Sequence, residues 1–110
     1  MTEKQRRELE AYLNRPLSEL EAELALYAPA YRRPSDVWTR VAGPVREWLC
    51  EDWNWCQVRQ DARFENDLDL AMAVVLILSR HLAEIPLNAD EFLIAAIVVK
   101  RGMDRFCQCP

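Results

Sequence analysis

Two runs of apolar side chains in the last third of the chain restrict its fold more than any other feature. In "DLDLAMAVVLILSRHL" every residue from Leu70 to Leu78 is apolar, with Asp67 and Asp69 ahead of the run and Arg80 and His81 behind it. "NADEFLIAAIVVKRG" repeats the plan: Asn88 and Glu91 lead, Phe92 to Val99 are apolar, and Lys100, Arg101 and Gly102 follow. Short runs rich in Val and Ile suit a buried strand as well as a buried helix, and periodicity alone does not separate the two. The flanking charges do. Acids at the start and bases at the finish complement a helix dipole, Asn88 with Glu91 reads as a capping pair, and Gly102 reads as a stop. Both segments are predicted as helices.

A helix lines one side of a core with an apolar stripe of about 100° or more, so a helix apolar on every face has to be enclosed. Joined through "AEIPLN", the two are expected to pack antiparallel at the centre of an all-α fold. The expected architecture is a compact five- to six-helix bundle formed by one domain spanning residues 1–110. The remaining helices are short and are expected to leave part of one central helix bare. Bare apolar patches of roughly several hundred Å² mark interaction surfaces. The candidate interface residues are Val74, Ile77, Leu78, Ile94, Ile97 and Val98, together with Trp53 and Trp55. A second copy of the chain is the simplest partner, because closed two-fold dimers are the commonest oligomers.

The rest of the chain supplies the wrapping. Thr2 with Gln5 reads as a capping box for a first helix that carries Leu9, Tyr12 and Leu13 and stops near Pro16. "SELE" reads as a second capping box, Ser18 with Glu21, opening a helix whose Leu17, Leu20, Leu24 and Tyr27 recur at three- and four-residue steps. "APAYRRP", Ala28 to Pro34, reads as a linker, after which Ser35 or Asp36 caps a third helix carrying Trp38, Val41 and Ala42. Gly43 and Pro44 are expected to break or kink that helix, and the next one offers Val45, Trp48 and Leu49. Gln57 to Glu65 is polar and reads as a loop or short helix. Trp38 and Trp48 fit the buried stripe, and one of Trp53 and Trp55 is expected to stay partly exposed for a partner.

Charge narrows the functional classes. Net charge is −4, and from Ala30 to Arg63 six arginines (Arg32, Arg33, Arg40, Arg46, Arg59, Arg63) are interleaved with five acids. Phosphate binding needs an uncompensated positive surface, so no nucleic-acid partner is expected. The charged start "MTEKQRRELE" lacks the apolar centre of a secretory signal, and no apolar run reaches the ~20 residues that cross a bilayer. A cytoplasmic protein with no membrane partner is the expectation. In that compartment Cys50, Cys56, Cys107 and Cys109 are expected as reduced thiols, buried or in the tail, rather than as a disulfide frame. An alternative makes the four a Cys₄ zinc site. Against it, six helical steps of about 100° from Cys50 to Cys56 would point the sulfurs apart.

His81 is the one histidine, and Glu84 three residues on places an H-x-x-E pair on one helical side. A small enzyme or ligand binder using His81 and Glu84 is therefore the other alternative. The simpler reading is a cation at the C-terminal end of its helix. With Gly43 and Gly102 as the only glycines, no phosphate-cradling loop is available. No cofactor is expected. These observations point to a non-catalytic protein-protein interaction module, a homodimeric regulatory or adaptor protein.

Overall fold

The structure is a computed structural model that describes residues 1–28, 30, 33–61 and 64–110. Among these residues all regular structure is helical, as expected. α1 spans Glu3–Leu13, α2 Leu17–Ala25, α3 Pro34–Arg46, α4 Trp55–Asp61, α5 Asp67–Ser79, α6 Glu91–Arg101 and α7 Met103–Phe106. A π-helical stretch, Glu47–Asp52, continues α3, and two 3₁₀ turns, Leu82–Glu84 and Pro86–Asn88, join α5 to α6. The linker at Ala28 to Pro34 and the polar stretch from Gln57 to Glu65 lie in part outside the described residues, which include neither Pro29, Tyr31 and Arg32 nor Ala62 and Arg63.

Helix starts follow local chemistry, with three shifts from expectation. Thr2 Oγ1 accepts from the Gln5 amide at 3.1 Å while Gln5 Oε1 accepts from the Thr2 amide at 2.9 Å, completing the capping box. α2 instead opens at Leu17 behind Pro16, with no side-chain cap. Pro16 already supplies two carbonyl acceptances, from the amides of Glu19 and Leu20, so Ser18 falls inside the first turn. α3 likewise opens on Pro34, whose missing donor costs nothing at a first helical position. At α6 the cap is Asp90, which accepts from the Phe92 amide at 2.8 Å, rather than Asn88. Asn88 sits in a left-handed conformation, φ 52°, at the end of the preceding 3₁₀ turn. Asn66 caps α5 by accepting from Asp69, and Gly102 at φ 98° ends α6.

Gly43 and Pro44 do not break the chain. Val37, Trp38, Val41, Ala42 and Val45 are buried along one side of α3 and hold it helical through that pair. The hydrogen bond Pro44 cannot make belongs to the outer face, where Arg40 and Gly43 are exposed. The spacing then widens, so that the Trp53 amide donates to the Trp48 carbonyl at 3.0 Å. Asn54, φ 55°, turns the chain, and its carbonyl accepts from the amides of Gln57 and Val58 to start α4.

Of the two central helices, the one expected to stay partly bare is not α6. Every residue from Phe92 to Val99 is buried, because α6 is packed by α1, α2, α5 and α7 at once. Leu9 from α1, Leu20 and Leu24 from α2 and Met103 and Phe106 from α7 join the same core. Short helices suffice when each brings one or two large side chains to a different side of the same axis. The accessible surface, 6670 Å², is close to the roughly 6300 Å² expected of a folded monomer of this mass. α5 is less complete: Ala71, Val74, Val75, Ile77 and Leu78 are buried, Met72 and Ala73 are half-buried, and Leu76 is 58 % exposed.

This distribution of burial sets the cost of truncation. Ile97→Ala, which empties a site of 0 % exposure, is expected to lower stability by about 2–5 kcal/mol. Leu76→Ala is expected to cost less than about 1 kcal/mol, and Asn66→Ala about 1 kcal/mol through the lost cap. Urea midpoints at unchanged slope check all three.

Candidate functional site

The sequence-proposed interface does not assemble at the surface. Val74, Leu78, Ile94, Ile97 and Val98 have no exposed area, and Ile77 and Trp55 retain 9 % and 6 %. An interface made of these side chains would require the core to open, so that expectation is corrected; of the eight, Trp53 alone is half-buried rather than buried. Trp38 and Trp48 lie in the core at 6 % exposure each.

The four cysteines do converge, but as two disulfides, Cys50–Cys107 and Cys56–Cys109. No cysteine is free, which corrects the expectation of reduced thiols. The zinc alternative fails on the same ground, because paired sulfurs offer no thiolate to a metal. The assumption of one regular helix from Cys50 to Cys56 caused the miss. The π-helical widening and the left-handed Asn54 reset the direction of the chain between them, so both sulfurs face the tail. Polar contacts tighten this corner. Trp55 Nε1 donates to Asp104 Oδ1 and Arg59 pairs with Asp104 Oδ2, each at 2.9 Å. Arg59 Nη2 donates to the Pro110 carbonyl at 2.9 Å, and Arg46, which donates to the Phe106 carbonyl, also covers the Phe106 ring at 4.7 Å.

A shallow groove of about 540 Å³ runs beside the corner, bounded by Trp55, Asp67, Arg101, Asp104 and Arg105 among others. Two of its four charged groups are committed elsewhere: Asp104 to Trp55 and Arg59, and Arg101 to Glu21 at 2.9 Å and to the Trp38 ring at 4.8 Å. Specific ligand pockets combine apolar walls with a few convergent free polar groups.

The second concavity lies between the π-helical stretch and the end of α5. Trp48, Asp52, Trp53, Ile77, Arg80 and His81 line a hollow of about 160 Å³. The His81 ring stacks on Trp48 at 4.4 Å with the planes 4° apart, and its Nδ1 lies 3.2 Å from Glu84 Oε2. The H-x-x-E pair is thus formed, with Glu84 largely exposed. An exposed pair of this kind is worth about 0–1 kcal/mol when charged. Among the described residues, the hollow is lined by no serine, threonine or cysteine. Leu76, one turn before Arg80, and Leu82, beyond His81, are 58 % and 51 % exposed.

A third cluster sits where α1 meets α2 and the start of α6. Tyr12 donates to Asp90 Oδ2 at 3.2 Å, and Arg15 pairs with Glu23 at 2.9 Å. Burial first, and then the carboxylates of Asp90 and Glu23, push the Tyr12 phenol well above its ordinary range. Tyr27 is raised as well, by burial and then by Asp90. The cluster binds helices together; its polar groups face one another.

Comparison with protein-family models, with curated proteins and with solved structures returns no match. The site is accordingly read from its own geometry.

The tyrosines give the fold an alkaline limit. A phenol whose folded-state pKa is raised contributes stability that is complete below the unfolded value, near 10, and is lost as pH rises toward the folded value. Stability is expected to fall above about pH 10, and Tyr12→Phe is expected to flatten that decline while leaving the share due to Tyr27. Urea midpoints measured on both sides of that pH, for both proteins, provide the check.

Proposed function

We propose that this chain is a non-catalytic protein-interaction module that docks through the Trp48–Trp53–His81 hollow and the two leucines beside it, and that it works as a homodimer. One observation carries the reading: an aromatic hollow of about 160 Å³, rimmed by Asp52, Arg80 and His81, with the exposed Leu76 and Leu82 next to it in the chain. Small-molecule sites enclose roughly 300–1,000 Å³, so a hollow of this size suits a single side chain. Interface hot spots have this form, an aromatic pocket that takes one anchor inside a polar rim.

A second copy of the chain fits the chemistry. In a two-fold pair each protomer presents the same patch, so Leu76 of one copy is available to the hollow of the other. The rim carries both signs, Arg80 and Asp52, and can pair across the axis. The buried faces of α5 and α6 take no part. All four cysteines are paired, and such pairs persist in oxidising surroundings. The reading therefore favours an oxidising compartment over the cytoplasm expected from the chain's charged start. No helix among the described residues is long and apolar enough to cross a membrane.

Sedimentation velocity over a low- to high-micromolar series tests the proposal. Wild type is expected to shift from monomer to dimer, and Leu76→Glu is expected to remain monomeric with unchanged circular dichroism. A wild-type chain that stays monomeric throughout overturns the homodimer. A Leu76→Glu chain that dimerises like wild type removes the hollow and its leucines from the interface.

A further inference from the structure

The groove beside the disulfide corner encloses about 540 Å³, within the roughly 300–1,000 Å³ of small-molecule sites. Its floor is apolar. Leu70 from α5 is half-buried, while Trp55 from α4, Val99 from α6 and Met103 from α7 each leave a small edge on it. Gly102, at φ 98°, turns the chain from α6 into α7 there, and a Cβ on it would meet nothing closer than the Arg105 Cβ at 4.0 Å. The bare backbone keeps the groove open at that junction. Around the floor stand two acids and two bases, Asp67 and Asp104 against Arg101 and Arg105, so the rim is neutral in sum. Asp104 is held by Trp55 and Arg59, and Arg101 by Glu21. Asp67 and Arg105 are exposed, and among the described residues no hydrogen bond or ion pair engages either side chain. The free acid comes from the first residue of α5 and the free base from α7. Each is on a fixed element: Asn66 caps α5 just ahead of Asp67, and buried Met103 and Phe106 hold α7, which the Cys50–Cys107 bridge ties down directly after Phe106.

We propose that this groove binds a small zwitterion with an apolar body, a short apolar peptide with free ends, whose ammonium group pairs with Asp67 and whose carboxylate pairs with Arg105. A guanidinium offers a carboxylate two parallel N–H donors, the geometry that makes such pairs strong and directional. Overall charge selects against the simpler ions. A phosphate would meet Asp67 and Asp104 as well as the arginines, and a polyamine would meet Arg101 and Arg105 as well as the acids. A ligand that is neutral in sum and carries both signs at its two ends avoids both repulsions. Its apolar side chains cover Leu70 and the edges of Trp55 and Met103, removing that surface from water. Because both charged groups stand on held helices, binding requires little ordering of the protein. The groove shares no described lining residue with the Trp48–Trp53–His81 hollow, so this site is independent of the interface proposed above.

Leucyl-leucine is the probe, titrated into isotope-labelled protein and followed by amide chemical shifts. Saturable binding is expected, with the shift changes centred on Leu70, Gly102 and Arg105. Acetylating the amino end of the peptide, or amidating its carboxyl end, is expected to weaken binding at least about tenfold, the loss of one charge-assisted pair. Arg105→Gln is expected to weaken the free peptide by a similar factor and to leave the amidated peptide unaffected. Asp67→Asn is expected to do the same for the free peptide and to leave the acetylated one unaffected. A variant that merely loosened the fold would weaken every peptide alike, so this pairing of end group with residue separates contact from structure. The proposal is overturned if millimolar peptide gives no saturable shift, if the blocked peptides bind as tightly as the free one, if the shifts centre on Trp48 and His81, or if inorganic phosphate alone reproduces them. If either variant folds poorly, the blocked peptides on the wild-type chain decide.

Discussion

The continuous burial of α6 is the constraint on which the remaining structure depends. A helix with Phe, Leu, Ile, Ala and Val on every side gains by transfer out of water around its whole circumference, at roughly 25 cal/mol per Å². That gain is available only if every direction is covered. α1, α2, α5 and α7 arrive from different sides to do so, and their own polarity follows from the task, since each needs one narrow apolar stripe inward and water outward. The short polar helices of the first half are the outer half of one packing problem that Phe92 to Val99 sets. Even the connections serve it: Lys100 reaches back to the Leu13 carbonyl and Arg101 to Glu21, tying the end of α6 to α1 and α2.

The helical class was legible because it rests on local signals. The order of charges around the two apolar runs identified helices where hydrophobicity alone was ambiguous, and the Thr2–Gln5 box formed as its residue types require. Boundaries were less legible. At α6 two side chains close together, Asn88 and Asp90, both qualify as caps, and the choice between them is made by the 3₁₀ turn that consumes Asn88. Exposure was not legible at all for α6, because it depends on where four other helices lie. Helix periodicity reports how a helix can be buried, whereas the extent of its burial is set by tertiary packing.

The cysteine pairing failed for a different reason. Angular arguments assume one helical repeat, and from Cys50 to Cys56 the chain changes repeat once and reverses hand at one residue. Asparagine is among the few side chains that accept a left-handed conformation, so Asn54 between Trp53 and Trp55 was the available signal that the run was not one helix. For His81 and Glu84 the local spacing did hold, and the pair meets at 3.2 Å. What spacing did not contain was Trp48, which arrives from the π-helical stretch and turns an exposed pair into the wall of a hollow.

The bridges divide the chain into a covalent ring and a free arm. From Cys50 onward nearly everything, α4, α5, α6 and α7, lies within loops closed by sequence separations of 57 and 53 residues, whereas α1, α2 and α3 precede them. Strand-like extension of the ring under tension is impossible beyond the short spans from Cys50 to Cys56 and from Cys107 to Cys109, but the arm has no such restraint. Pulled lengthwise, the chain therefore yields α1, α2 and α3 while the stretch between the bridged cysteines keeps its covalent hoops.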